Sequence, residues 1–120
     1  MVDYKELYNT IVSKWKEMES WPDEKKTEGD ALDIKLLFGS DEMTISLERN
    51  DVERHIEDKR EETKTDKYMK ERYKAEGDSY LYPFYLYREG LAFYSQCSLI
   101  ELSVDFLKHI DSFEVETWND

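Results

Sequence analysis

Cysteine, histidine and glycine are scarce in this 120-residue sequence, which has one Cys, two His and four Gly. The lone Cys97 excludes an internal disulfide and is consistent with a reducing compartment. One Cys and two distant His do not give a recognisable zinc-ligand spacing, and no two Gly are close enough to form a phosphate-binding loop. We therefore expect no metal ion and no organic cofactor.

Long hydrophobic runs are also lacking. The most apolar region, residues 80–102, is interrupted by Arg88, Glu89 and Glu101, so it is not a membrane-spanning segment. The first residues, Met-Val-Asp-Tyr-Lys-Glu, have neither the basic start nor the apolar stretch of a secretory signal. These features predict a cytoplasmic protein.

Positive charge is in the minority, because 17 Lys and Arg stand against 29 Asp and Glu, for a formal net charge of -12. A nucleic-acid binder gains affinity by neutralising phosphates with Lys and Arg, so direct binding to DNA or RNA is not expected. Anionic membranes are disfavoured for the same reason. An acidic surface instead favours fast, salt-sensitive capture of a basic protein. The alternative is that the charge serves only solubility.

Aromatic residues make up 14% of the chain, which supplies enough large apolar side chains for a folded core. Apolar residues spaced by three and four predict an amphipathic helix over residues 3–19, ended by Trp21-Pro22. A change to alternating apolar residues predicts two strands, over residues 32–38 and 43–47. The short Gly-containing loop between them predicts a hairpin.

Sequence patterns in the second half of the chain predict further helices and strands. These are a helix from Asn50 to about Ala75, a second hairpin around Glu89-Gly90, a strand over residues 99–102, a helix over residues 103–111 and a strand over residues 113–118. The predicted fold class is α+β: a mostly antiparallel sheet of about five strands flanked by two or three helices, in a single domain spanning residues 1–120.

Groups for covalent or acid–base catalysis are few. Nucleophilic catalysis needs a nucleophile, a base and an orienting group, and the candidates Cys97, His55 and His109 stand in no catalytic sequence signature. Carboxylate pairs are common, but any fold this acidic brings some together by chance. The sequence predicts that the protein is not an enzyme. An unrecognised carboxylate active site is the least favoured alternative.

The acidic residues are better interpreted as a binding surface. The predicted partner-binding acids are Glu17, Glu19, Asp23, Glu24, Glu28, Asp30, Asp41 and Glu42. Helical neighbours three or four residues apart lie about 5–6 Å from each other, a scale on which carboxylates can imitate phosphates along a strand. The expected partner is therefore a basic, DNA-binding protein.

The strand Tyr82-Pro83-Phe84-Tyr85-Leu86-Tyr87, the short turn after it and Leu91-Ala92-Phe93-Tyr94 resemble the staphylococcal-type uracil-DNA glycosylase inhibitor family. The similarity is best over roughly the last forty residues. It continues upstream as a helix followed by Trp21 and acidic residues.

The resemblance implies an inhibitor that fits into the DNA-binding groove of uracil-DNA glycosylase and blocks uracil excision. Carboxylates would replace phosphates, and an apolar pocket near Tyr85, Tyr87 and the first helix would receive the enzyme loop that wedges into DNA. The family's acidic contact after the Trp would fall on Asp23 or Glu24. The alternative is an immunity or counter-defence protein, of a phage or mobile element, that neutralises a different DNA-binding protein or nuclease.

Overall fold

The computed structural model describes residues 2–58, 84–95 and 98–120 of the chain. In chain order their elements are α1 (Tyr4–Glu19), β1 (Ala31–Phe38), β2 (Asp41–Glu48), α2 (Arg49–Asp58), β3 (Phe84–Tyr87), β4 (Gly90–Ser95), β5 (Ser98–Ser103), α3 (Val104–Leu107) and β6 (Ser112–Trp118). The predicted α+β class is confirmed.

The strands form two antiparallel sheets. Sheet A has the order β2-β1-β6 and sheet B the order β3-β4-β5. The sequence predicted about five strands in one sheet, whereas the described residues contain six strands in two sheets. Strand β1 is paired on both sides by β2 and β6, and the second hairpin pairs with β5 and not with the outer edge of either.

Helix α1 forms where its apolar stripe predicts it. The Asp3 carboxylate caps its start by accepting from the Lys5 N–H at 2.9 Å. At its other end the Ser20 N–H donates to the Lys16 carbonyl at 3.1 Å. The buried stripe consists of Leu7, Ile11, Trp15 and Met18. These side chains pack into the core on which both sheets close.

The first predicted hairpin is confirmed, with a two-residue turn at Gly39-Ser40. Gly39 has a φ of 61°, in the left-handed region that Gly adopts most easily. Its N–H donates to the Asp111 carboxylate at 2.8 Å. Asp111 therefore fixes the turn to the start of β6.

The second predicted hairpin is confirmed as β3 and β4, which join through Arg88-Glu89. Gly90 follows this turn with a φ of 157°. A Cβ at this position would clash with the Leu102 carbonyl oxygen of β5, so the close approach of β4 and β5 requires glycine.

Helix α3 is shorter than predicted. The sequence predicted a helix over residues 103–111, and the structure has a single turn capped by Ser103, whose hydroxyl accepts from the Phe106 N–H at 3.1 Å. Beyond Leu107 the chain makes turn hydrogen bonds, and the Asp111 N–H then donates to the Leu37 carbonyl of β1 at 2.8 Å, which begins the β1–β6 pairing. Strand β6 follows as predicted.

The second predicted helix is confirmed over its first part. Helix α2 begins at Arg49, one residue before the predicted start. The prediction that it continues to about Ala75 lies outside the described residues, as do Pro83 and Cys97.

Candidate partner-binding surface

One face of sheet A is exposed, and the pairing register identifies the side chains on it. Ile34 and Leu36 are fully buried, so their neighbours Asp33 and Lys35 lie on the opposite face. The registers with β2 and β6 place further side chains beside them. The resulting acidic sheet face consists of Asp33, Lys35, Glu42, Glu48, Glu114, Glu116 and Trp118.

The acidic sheet face carries five carboxylates and one ammonium group. Lys35 Nζ lies 3.6 Å from Glu116 Oε2. Asp33 is the direct cross-strand partner of Glu116. Like charges at directly opposed positions destabilise a sheet. Lys35 offsets part of this repulsion, and the face keeps an excess of negative charge.

Trp118 lies at one end of this face with 55% of its surface exposed. It belongs to a row across three strands in which Glu48 and Trp118 flank Ala31. Glu116 precedes it on the same face, about 7 Å away along the strand. An exposed indole thus lies among carboxylates.

A buried ion pair fixes the chain beside this end of sheet A. Arg49 Nε donates to Asp30 Oδ2 at 3.0 Å, and both side chains are buried. Arg49 Nη2 also donates to the Met18 carbonyl at 2.9 Å. The pair therefore joins the end of α1, the start of β1 and the start of α2.

The Asp30 carboxylate accepts four further hydrogen bonds. Thr27 donates its N–H and its hydroxyl, each at 2.9 Å, Asn119 donates its side-chain amide at 2.9 Å, and Asp120 donates its N–H at 3.1 Å. Burial by itself raises the pKa of Asp30. The hydrogen bonds from Thr27, Asp120 and Asn119 outweigh burial and hold this pKa well below its usual value of 3.8.

The acidic loop, residues 23–30, is held against the C-terminus by the same cluster. The Asn119 amide donates to the Lys25 carbonyl at 2.8 Å, and Lys25 Nζ lies 4.2 Å from the centroid of the Trp21 ring. Because Asn119 directly follows Trp118, the loop joins sheet A at the Trp118 end of the acidic sheet face.

The structure places seven of the ten predicted contact residues at the surface. They are Glu17, Glu19, Asp23, Glu24, Glu28, Asp41 and Glu42. Glu17 and Asp23 each lie near a lysine, with N–O distances of 3.7 Å to Lys14 and 3.9 Å to Lys26. Of the seven, Glu42 belongs to the acidic sheet face.

The other three predicted contact residues are corrected by the structure. Asp30 is fully buried and serves as the anchor of the loop, because its ion pair and hydrogen bonds occupy the carboxylate. Tyr85 and Tyr87 are 2% and 7% exposed. Both rings are therefore covered within the chain itself.

Sequence reasoning missed Asp33, Glu114, Glu116 and Trp118 as members of one surface. The signal was present in β6, where Phe113, Val115 and Thr117 alternate with the acidic residues and Trp118. This alternation indicates which residues share a face, but only the pairing with β1 brings Asp33 next to Glu116.

Two kinds of feature are absent from residues 2–58, 84–95 and 98–120. No group of three or more His, Cys, Asp and Glu residues there could hold a metal ion. No helix of this part of the chain is both long enough and apolar enough to cross a membrane.

The chain was compared with known proteins at three levels. No family model matches it, and no curated protein and no solved structure matches it either.

Proposed function

We propose that this protein binds the basic, DNA-contacting surface of another protein and thereby blocks access of DNA to it. Uracil-DNA glycosylase is the first target to test, because of the resemblance of the second hairpin to inhibitors of that enzyme. Blocking uracil excision is then the expected activity.

The observation that carries the proposal is the acidic sheet face. Its carboxylates are attached to three paired strands, so the sheet sets their backbone positions and binding costs side-chain entropy but little backbone entropy. Asp33 lies directly opposite Glu116, a like-charge pairing that we expect to cost stability and that fits a surface kept for binding. A surface needed only for solubility could intersperse both signs of charge without this cost.

The acidic loop supports the same proposal. Asp23, Glu24 and Glu28 are exposed on a segment that the Asp30–Arg49 pair holds in place. Charges at the rim of an interface mainly raise the association rate and set orientation. We therefore assign steering to the loop and contact to the acidic sheet face.

The test is a uracil-excision assay with purified glycosylase, in which this protein is titrated at low and moderate salt. The expected result is stoichiometric inhibition, weaker at the higher salt, with a complex that elutes as one species in size-exclusion chromatography. The same titration against a panel of DNA-cleaving nucleases tests the counter-defence alternative. Absence of inhibition and of complex with every enzyme would contradict the proposal.

Matched charge reversals locate the contact. Glu48→Lys with Glu116→Lys changes two charges on the acidic sheet face, and Glu6→Lys with Asp105→Lys changes two exposed charges elsewhere. We expect the first pair to weaken inhibition at least tenfold, because removing one side chain at an interface centre costs about 1–2 kcal/mol. The second pair keeps the same net charge and should reduce only the association rate, by a smaller factor. Equal reductions would show that net charge alone acts.

A further inference from the structure

Trp118 distinguishes the acidic sheet face from a simple field of negative charge. Its indole is 55% exposed, and the two nearest carboxylates on its own row and strand are Glu48 and Glu116. Strands lie about 4.8 Å apart, so Glu48 is about 10 Å across the sheet from Trp118, with only the small Ala31 between them.

An arginine side chain combines the properties that this arrangement can recognise. Its planar guanidinium stacks on an indole face and pairs with a carboxylate through two parallel hydrogen bonds. A lysine ammonium is more strongly hydrated and offers neither planarity nor a fork of donors. Both residues contact phosphates in DNA-binding proteins, so the difference between them tests recognition beyond charge.

We propose that the acidic sheet face binds an arginine-bearing segment of a partner protein, with a guanidinium stacked on Trp118 and paired with Glu116 or Glu48. This inference rests on the proposed function and specifies the chemistry of its partner. Charge complementarity identifies the occupant: five carboxylates surround one Lys on this face. A second copy of the chain, which also carries a charge of -12, would be repelled.

The experiment is an NMR titration of the ¹⁵N-labelled full chain with two capped peptides, nona-arginine and nona-lysine. The chain has three Trp, of which Trp15 is buried, Trp21 is half-buried and Trp118 is exposed. We expect nona-arginine to shift the Trp118 indole N–H and the amides of Asp33 and Glu116. We also expect it to bind about 2- to 5-fold more tightly than nona-lysine, because a guanidinium can stack on the indole while it pairs with a carboxylate through two hydrogen bonds.

The matched variants are Trp118→Leu and Phe106→Leu. Both replace an exposed aromatic residue, and Phe106 lies on α3 outside the acidic sheet face. Trp118→Leu should weaken nona-arginine binding more than nona-lysine binding and so remove the preference for arginine, whereas Phe106→Leu should change neither affinity. Circular dichroism establishes that both variants are folded.

Three outcomes would overturn the inference. They are equal affinity for the two peptides, shifts confined to the acidic loop, and Trp118 signals that broaden with protein concentration in the absence of peptide. None of them bears on inhibition of a glycosylase or nuclease, which the excision and cleavage assays decide separately. Conversely, arginine-selective binding at Trp118 without enzyme inhibition would contradict the proposed function and support this inference.

Discussion

Sheet A and sheet B are both three-stranded and antiparallel, yet they use their faces differently. In sheet A, more buried and more exposed side chains alternate along β1 and β6. One face therefore packs on the core, and the other presents charged side chains at the surface. In sheet B, Tyr85 and its cross-strand partner Ala92 are buried, as are Phe84 and Phe93 on the opposite face. The β3–β4 pair of sheet B is therefore covered on both faces, whereas one face of sheet A is exposed.

The two sheets also differ in what holds their ends. Sheet B relies on apolar packing, including the edge-to-face contact between Phe84 and Trp15, whose ring centroids are 5.9 Å apart. Sheet A is closed at one end by the buried Asp30–Arg49 pair and its hydrogen bonds. At this end, hydrogen bonds and an ion pair hold the acidic loop and the C-terminal residues in place.

The largest difference is expected when the same charge is introduced into both sheets. Ala92→Glu buries an unpaired carboxylate in sheet B and should cost about 5 kcal/mol or more, comparable to the whole stability of a small domain. Thr44→Glu lies on the exposed face of sheet A and should change the free energy of unfolding by less than about 0.5 kcal/mol. Urea denaturation measures both. Similar destabilisation of the two variants would show that sheet A has no open face.

Removal of the anchor should have the next largest effect. Asp30→Ala removes the buried counter-charge of Arg49 and leaves only the exposed Glu53, whose Oε1 lies 3.8 Å from Nη1, which should lower the free energy of unfolding by about 3 kcal/mol. The control is Asp23→Ala in the same loop, whose carboxylate is fully exposed and should leave the free energy of unfolding nearly unchanged. If the two variants unfold at the same urea concentration, the pair does not anchor the loop.

The anchor also predicts a pH dependence. The pKa of Asp30 is lower in the folded state than its usual value of 3.8, so its ionised form stabilises the fold above about pH 4 and this contribution is lost as pH falls further. The difference in unfolding free energy between the natural chain and Asp30→Asn should therefore be constant from pH 7 to pH 5 and narrow towards pH 2. A difference that widens on acidification would give the shift the opposite sign.

The smallest effect is expected from the like-charge pair on sheet A. Asp33→Asn removes the repulsion of Glu116 and should raise the free energy of unfolding by about 0.2–0.5 kcal/mol. The gain should disappear at 1 M salt, where charges are screened within about 3 Å. The same variant should bind its partner less tightly. Stabilisation that persists at high salt would assign the gain to another cause.

Local sequence patterns predicted most of the elements. The stripe from Leu7 to Met18 predicted α1, and the alternation in β1 and β6 predicted two strands of sheet A. These predictions succeeded because the periods of 3.6 and 2 follow from burying one face of a helix or a strand. The sequence predicted that α3 ends at residue 111, whereas it ends at Leu107. Asp111 instead donates to the Leu37 carbonyl, a contact between residues that are distant in the sequence.

The sequence by itself determined the negative charge, the α+β class and the exposure of most of the predicted acids. Only the tertiary structure decided that Asp30 is an internal anchor and that Tyr85 and Tyr87 are buried. It also decided that Asp33 and Glu116 share a face with Trp118. The physical reason is that burial and cross-strand neighbours depend on which strands pair and in what register, and those contacts join residues far apart in the chain.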